Sequence, residues 1–197
     1  MTTRALVDAN VLYSKTLRDW LIMIQLESGG GLYELCWTED ILAETLYRFR
    51  KDHPTVDGGV IARLHDIIAT TLEGGRIHDY VIDGSFSGSD PHDQHVHAAA
   101  IAAGATYLIT ADGDFTSPGI DLDSLPYEVH GPDSFLMLVD DSAPHRVRAV
   151  TKKQERYWDQ RRRSKTLSQA LRDAGCPGFA QRVLQHLCHL PADDANT

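Results

Sequence analysis

Short apolar runs recur through the first two thirds of the chain, separated by segments with apolar residues at every third or fourth position. The short runs predict buried strands at residues 5–8, 35–37 and 106–110, with weaker candidates at 80–82 and 127–129. The intervening segments have the spacing of amphipathic helices. We therefore predict that strands and helices alternate.

Residues that commonly start or stop helices mark the ends of the helical segments. Thr38 and Asp90 each precede such a segment and are suited to cap it, and Gly104 follows one. The predicted helices lie at residues 11–27, 39–52, 60–72, 91–103 and 134–140.

This alternation predicts the fold class. Short strands that are apolar on both sides favour a mostly parallel sheet with helices on both faces, which is a three-layer α/β architecture. Functional residues in such sheets lie at the carboxyl ends of the strands. Beyond about residue 144 the pattern predicts helices alone. We therefore divide the chain into an α/β domain at residues 1–143 and a helical, basic C-terminal extension at residues 144–197.

The charges are unevenly distributed along the chain, and this matters more than the net charge of −9. Residues 146–172 contain ten Lys or Arg against two acidic residues, which gives this segment a charge of +8. The remaining 9 basic and 26 acidic residues carry −17. An acidic body with one basic segment is compatible with a protein that binds nucleic acid through that segment.

The sequence predicts a cytoplasmic protein that does not insert into a membrane. Its N-terminus lacks a basic segment followed by an apolar one, and no apolar run approaches the roughly 18 residues that span a bilayer. The three cysteines, Cys36, Cys176 and Cys188, are too few and too irregularly spaced for a disulfide framework or a zinc site. We expect them to be reduced and mostly buried.

Acidic residues fall at positions where a parallel sheet would collect them. Asp8 and Asp112 each follow a predicted strand, and Asp93 lies in the first turn of a predicted helix. Carboxylates gathered at one sheet edge repel each other unless a divalent cation neutralises them, and Mg²⁺ or Mn²⁺ suits oxygen ligands. Such cations can activate water and stabilise a leaving oxygen during phosphodiester cleavage.

Each acid also has an ordinary structural explanation. Asp8 is placed to cap the following helix, and Glu44 lies off the apolar stripe of its helix, as a solvated acid would. Asp93 is favourable at a helix N-terminus through the helix dipole. Asp112 and Asp114 occupy a Gly-containing turn in which Asp is common.

Four short motifs in one order resemble those of the PIN-domain family, over roughly residues 3–140. The motifs are LVDANVL at 6–12, ILAET at 41–45, DPHDQHV at 90–96 and LITADGDF at 108–115. The resemblance implies a small α/β domain with a parallel sheet, acting as a metal-dependent nuclease. It also implies Mg²⁺ or Mn²⁺ bound by the acids at the matching positions, which are Asp8, Glu44, Asp93 and Asp112, with Asp114 as a further acid. Asn10 and Thr110 match polar residues that line the site and orient ligands or substrate.

Within the family, the motifs are most similar to those of the VapC-type toxins of toxin–antitoxin systems. This resemblance implies endoribonucleolytic cleavage of a structured RNA, such as transfer or ribosomal RNA, a cognate antitoxin and a homodimer. The C-terminal extension departs from the pattern of these small toxins. A housekeeping RNA-processing or DNA-directed nuclease of the same fold remains an alternative, as does a non-catalytic RNA-binding protein.

The basic extension is the candidate surface for RNA. Its cations could contact phosphates, and the neighbouring Tyr157 and Trp158 offer rings for stacking on an unpaired base. Three alternatives stay open: the cations lie on a solvated face or pair with the acidic body, the segment binds an antitoxin, or Trp158 packs against the main domain. The cations assigned to RNA binding are Lys152, Lys153, Arg156, Arg161, Arg162 and Arg163.

Overall fold

A parallel sheet forms the centre of the molecule. The computed structural model describes residues 2–88, 90–117, 120–161 and 165–188. Within these ranges four strands form one sheet in the order β2-β1-β3-β4, and every pair is parallel. The strands are β1 (Arg4–Val7), β2 (Glu34–Cys36), β3 (Tyr107–Ile109) and β4 (Glu128–His130). The α/β architecture predicted from the sequence is confirmed.

Helices flank this sheet. Ala5, Leu6 and Val7 of the central strand β1 have no solvent exposure, because helices cover both faces of the sheet. The helices of the described residues are α1 (Ala9–Tyr13), α2 (Lys15–Glu27), α3 (Glu39–Asp52), α4 (Gly58–Thr71), α5 (Gln94–Ala103), α6 (Pro132–Ser142), α7 (Pro144–Gln160), α8 (Leu167–Asp173) and α9 (Pro177–Cys188).

The helix predicted at residues 11–27 is two helices, so this prediction was wrong in one respect. Ser14 has an extended backbone between α1 and α2, and its hydroxyl accepts a hydrogen bond from the Leu17 N–H at the start of α2. A serine in this position offers the backbone a cap in place of a continuous helix. The break leaves α1 as a short helix directly after β1.

The strand predicted at residues 80–82 does not form. The chain pairs with the end of β2 only briefly, where Ile77 donates a backbone hydrogen bond to Trp37. It then continues as an irregular segment in which the side chains of Val81 and Ile82 are 81% and 54% exposed. The apolar residues of this segment therefore lie on the surface and do not belong to a buried strand.

The helices of the basic extension share the apolar core of the α/β body. The rings of Trp20 on α2 and Phe179 on α9 meet edge to face with centroids 5.0 Å apart. Asp133 on α6 accepts hydrogen bonds from the first N–H groups of α9, and the buried Asp140 on α6 bonds the buried His186 at 2.6 Å. The extension is thus attached by both apolar and polar contacts. The division of the chain near Pro144 stays a prediction.

The thiols are as expected from the sequence. Cys36 and Cys176 are free and buried, and Cys188 is free and exposed.

None of the helices that the structure describes combines the length and apolarity needed to cross a lipid bilayer.

Candidate functional site

The strand order places one crevice at the carboxyl ends of β1 and β3. The chain leaves β1 towards β2 on one side, whereas β3 and β4 lie on the other side of β1. In an open parallel sheet, this change of direction leaves a crevice outside the strand ends, where ligands bind. Asp8 follows β1 directly, and Thr110 and Asp112 follow β3.

Asp8 is held rigidly in this crevice. Its Oδ1 accepts a hydrogen bond from the Ala9 N–H at 2.5 Å, which caps α1. Its Oδ2 accepts from the Thr110 hydroxyl at 2.7 Å and from the Asn10 amide at 2.6 Å. Asn10 in turn accepts from the Ala111 N–H at 2.9 Å. Asp8 therefore caps a helix, as the ordinary explanation predicted, and is also fixed between the two strand ends.

Burial and hydrogen bonding act in opposite directions on the Asp8 carboxyl group. Burial raises its pKa, while the hydrogen bonds from Thr110 and Ala9 lower it in part. The nearby carboxylate of Glu44 raises the pKa further, and Arg48 lowers it. Asp8 is thus a desolvated acid, and the hydrogen bonds from its polar neighbours stabilise its charged form.

Asp93 is the acid with the largest perturbation in the crevice. The residue is 8% exposed, and its Oδ2 has no hydrogen-bond partner among the described residues. Burial and, in decreasing order, the charges of Asp112, Asp90, Asp8 and Asp114 together raise the pKa of Asp93 to about 7. Four carboxylates therefore lie close enough to repel the charge on Asp93.

Three of these acids could share one cation. Among the described residues, Asp90, Asp93 and Asp114 present carboxylate oxygens that all lie within 4.8 Å of one another. Asp112 holds the turn that carries Asp114, because its Oδ1 accepts a hydrogen bond from the Asp114 N–H at 2.9 Å. Hard oxygen donors with one buried, unpartnered atom fit Mg²⁺ or Mn²⁺, which take oxygen ligands.

Asp90 was not among the predicted metal ligands. The sequence identified it only as an N-cap, and it does cap the 3-10 turn Pro91–Asp93 by accepting a hydrogen bond from the His92 N–H at 2.8 Å. Its separation of three residues from Asp93 across a helical turn places both carboxylates on the same side. That spacing was the signal in the sequence from which Asp90 could have been predicted as a metal ligand.

Glu44 lies at the rim of the crevice and outside the group of three acids. Its side chain is 34% exposed and forms an ion pair of 2.7 Å with Arg48, one turn further along α3. The His95 Nε2 lies 3.9 Å from its other carboxylate oxygen. The electrostatic effect of Glu44 on Asp8 shows that it lies near the crevice, but its role as a metal ligand stays a prediction.

The basic end of α7 lies on the same side of the molecule as the start of α2. Arg146, at the beginning of α7, donates to the Glu27 carbonyl at the end of α2. Tyr157, near the end of α7, shares a cavity of about 220 Å³ with Lys15, the first residue of α2. The two helices are therefore antiparallel. The late part of α7 therefore lies beside the start of α2, the helix that follows α1.

The predicted RNA-binding cations have different surroundings. Lys153 forms an ion pair of 2.5 Å with Glu27, and the Arg161 guanidinium lies 4.5 Å from the centre of the Tyr157 ring. Lys152 and Arg156 lie on α7, whereas Arg162 and Arg163 fall outside the described residues. Trp158 is half-buried and packs against the core, in agreement with the alternative that it contacts the main domain. The assignment of these cations to RNA stays a prediction.

Replacing Asp93 by Asn should stabilise the metal-free protein at about pH 8 and remove its response to Mn²⁺. The uncharged amide can donate to a neighbouring carboxylate, so we expect the free energy of unfolding to rise by about 1–3 kcal/mol. Because the pKa of Asp93 is raised from 3.8 to about 7, wild-type stability should fall as the pH rises through that interval. Thermal unfolding at about pH 5 and about pH 8, in EDTA or Mn²⁺, measures both effects.

Asp121→Asn is the matched control for this experiment. Asp121 also caps a 3-10 turn, by accepting a hydrogen bond from the Asp123 N–H at 3.2 Å, but it is exposed and does not belong to the group of three acids. It should keep the wild-type response to Mn²⁺. Destabilisation of Asp93→Asn at about pH 8 in EDTA, or equal stabilisation of all three proteins by Mn²⁺, would contradict the prediction.

Comparison with known proteins identifies the family of the fold that carries these acids. The family model described as "PIN domain" matches residues 4–114, which is more than half of the chain. No curated protein and no solved structure matches the chain significantly. The match spans the crevice acids from Asp8 to Asp114, and PIN domains are generally metal-dependent nucleases. The chain belongs to the PIN-domain family.

Proposed function

We propose that this protein is an endoribonuclease that requires Mg²⁺ or Mn²⁺. The observation that carries the proposal is the buried carboxylate of Asp93, which has four carboxylate neighbours and one oxygen without a partner in the described part of the chain. A fold keeps such an arrangement at a cost in stability, and a divalent cation would offset the repulsion. A non-catalytic RNA-binding module would gain nothing from it.

The residues of the crevice have distinct proposed roles. Asp8, Asp93 and Asp112 hold the metal directly or through water, and Asp90 and Asp114 complete the oxygen set. Bound metal would supply Lewis acidity, which polarises a phosphate oxygen and lowers the pKa of an attacking water. Glu44 is proposed as a further acid at the rim of this set.

Asn10 and Thr110 serve as positioning residues in this proposal. Both donate to the same oxygen of Asp8, and the Thr110 hydroxyl also accepts from the Asp112 N–H at 3.0 Å. One hydroxyl therefore fixes the acids that follow β1 and β3. Groups that orient metal ligands in this way influence affinity and activity strongly.

The charge distribution supports a nucleic-acid substrate, and the resemblance of the motifs to those of PIN-domain ribonucleases makes RNA the proposed one. A body that carries −17 outside residues 146–172 repels a polyanion, so binding needs a local cationic surface. The late part of α7 supplies one on the side of the molecule where α2 begins. Lys152, Arg156 and Arg161, together with Arg162 and Arg163, are the proposed phosphate contacts.

We extend the proposal to a toxin of the VapC type that forms a homodimer and is restrained by a cognate antitoxin. The support for this extension is the resemblance of the motifs to those of such toxins. An adjacent gene for a small DNA-binding antitoxin would favour it. A neighbourhood of RNA-processing genes would favour a housekeeping nuclease of the same fold.

Cleavage of RNA should depend on the acids and on the hydroxyl that positions them. Wild-type protein incubated with total bacterial RNA in Mn²⁺ should give discrete new 5′ ends that EDTA abolishes. Asp8→Asn should reduce cleavage by more than about 100-fold, and Thr110→Val by about 10–100-fold, because valine keeps the shape and loses the hydrogen bonds. Sequencing of 5′ ends measures the sites, and their rate of appearance measures the loss.

Asp121→Asn again serves as the control and should cleave like the wild type. Circular dichroism establishes that each variant is folded before its activity is compared. If folded wild-type protein free of antitoxin cleaves no RNA in either metal, the nuclease proposal fails. Full activity in Asp8→Asn would reject the proposed site.

Removing the cations after α7 should weaken RNA binding and reduce its dependence on salt. In an Asp8→Asn background, replacing Arg161, Arg162 and Arg163 by Ala should flatten the slope of log affinity against log salt by about 2, since each contact to a single strand contributes about 0.7. Fluorescence anisotropy with labelled RNA measures the slope. Arg63→Ala, a change on α4, is the control. Unaltered affinity at low salt would show that these cations do not contact RNA.

A further inference from the structure

The exposed face of α3 carries a stripe of polar and aromatic residues, of which the proposed function uses Glu44 alone. Ile41, Leu42 and Thr45 are buried against the body. Residues on the opposite face recur at intervals of three or four, which places them in a line along the helix. These residues are Asp40, Glu44, Tyr47, Arg48 and Lys51.

This stripe forms one wall of an open cleft, which we name the α3 cleft. Its volume is about 820 Å³, within the range of roughly 300–1,000 Å³ typical of small-molecule and cofactor sites. Ile82, from the irregular segment that follows α4, and His92, from the turn before α5, lie on the facing wall. The α3 cleft is therefore large enough for a nucleotide.

The α3 cleft adjoins the acidic crevice. His92 lies between Asp90 and Asp93 in one helical turn, so the acids and the cleft wall belong to the same short segment. Glu44, at the other wall, lies near enough to Asp8 to affect its charge. A strand cut at the acids would enter the α3 cleft directly.

The exposed groups in the α3 cleft suit an unpaired nucleotide. The Tyr47 side chain is 67% exposed and that of Ile82 is 54% exposed, so apolar surface faces solvent next to cations. An aromatic ring can stack on a base of any identity, and neighbouring Lys or Arg can contact the phosphates. Arg48 is held in place by its ion pair with Glu44 at 2.7 Å.

The direction of α3 indicates the path of a bound strand. Seven residues separate Glu44 from Lys51, which corresponds to roughly 10 Å along the helix axis. Of these two residues, Glu44 lies nearer the acids, and Lys51 is the last residue of α3 that lines the cleft. Tyr47 lies between them, one turn from each.

We infer that the α3 cleft binds an unpaired ribonucleotide next to the scissile phosphate, with its base stacked on Tyr47 and its phosphate near Arg48 and Lys51. This inference rests on the proposed nuclease function and adds to it a nucleotide-binding subsite beside the cut, formed by Tyr47, Arg48 and Lys51. Sequence-tolerant stacking on one exposed ring, next to cations, favours RNA over a protein partner.

The test compares RNA binding by ring-deleting and ring-preserving variants of the full chain. The probe is a fluorescein-labelled single-stranded RNA dodecamer of adenosine, in an Asp8→Asn background that keeps it intact. Tyr47→Ala should raise the Kd at least about fivefold, whereas Tyr47→Phe, which keeps the ring, should stay within about twofold of the parent. A blunt RNA duplex should be bound equally by all three proteins, because its bases are not available for stacking.

Lys51→Ala provides an independent arm of the same test. Loss of one phosphate contact should lower the salt slope for the single-stranded probe by about 0.7, and Arg63→Ala should not change it. Tyr47 is exposed, so its substitution should leave the unfolding temperature unchanged. That measurement separates a binding defect from a folding defect.

The outcomes distinguish failure of this inference from failure of the nuclease proposal. Binding of the dodecamer that is unaffected by Tyr47→Ala, or weakened equally by Tyr47→Phe, would overturn the inference and leave the cleft to a protein partner. Absence of dodecamer binding by the parent protein would also overturn it. Ring-dependent binding in a chain whose wild type cleaves no RNA would support the α3 cleft and reject the nuclease.

Discussion

Repulsion among carboxylates at the ends of two adjacent strands is the constraint on which the rest of this structure depends. Asp93 is buried beside four other acids and has an oxygen without a partner among the described residues. The fold sustains this arrangement because the ends of β1 and β3, at Val7 and Ile109, are fully buried at its base and because Asp8 is fixed by hydrogen bonds from Asn10 and Thr110. The repulsion between these carboxylates lowers the stability of the fold, and a divalent cation bound among them would offset it.

A second electrostatic feature complements the first. The acidic crevice would repel RNA, whereas the late part of α7 carries cations on the side of the molecule where α2 begins. α9, which packs with α7, is anchored by the Trp20–Phe179 ring contact and by the buried pair of Asp140 and His186. These cations are therefore held in a fixed relation to the crevice. The cations of α7 would attract a polyanion, and a metal bound in the acidic crevice would neutralise the carboxylates that otherwise repel it.

Local signals in the sequence were enough to predict the sheet and most of the acidic crevice. The apolar run before Asp8 and the run before Thr110 predicted β1 and β3, and the parallel alternation placed their ends together. Thr38 caps α3 as expected, through a hydrogen bond from the Ile41 N–H at 3.1 Å. The strands and the helix cap depend on residues close in sequence, and the crevice follows from the rule that the carboxyl ends of parallel strands meet at one edge of a sheet.

Features that depend on tertiary contacts could not be predicted in this way. Residues 80–82 have the composition of a strand, but within the described residues the pairing with the chain after β2 ends at Ile77. Asp90 has the sequence signature of a cap, and only its position beside Asp93 and Asp114 reveals a second role. The α3 cleft combines segments distant in sequence. Its residues look like an ordinary solvated helix face until Ile82 and His92 are brought opposite to them.

The most direct measurement of the central claim is a crystal structure with Mn²⁺, analysed for anomalous scattering. The account predicts an anomalous peak in the crevice, with Asp93 Oδ2 about 2.0–2.3 Å from the metal and further carboxylates completing the oxygen ligands. A well-ordered Asp93 without metal, in crystals that hold Mn²⁺ only at acids elsewhere on the surface, would contradict it.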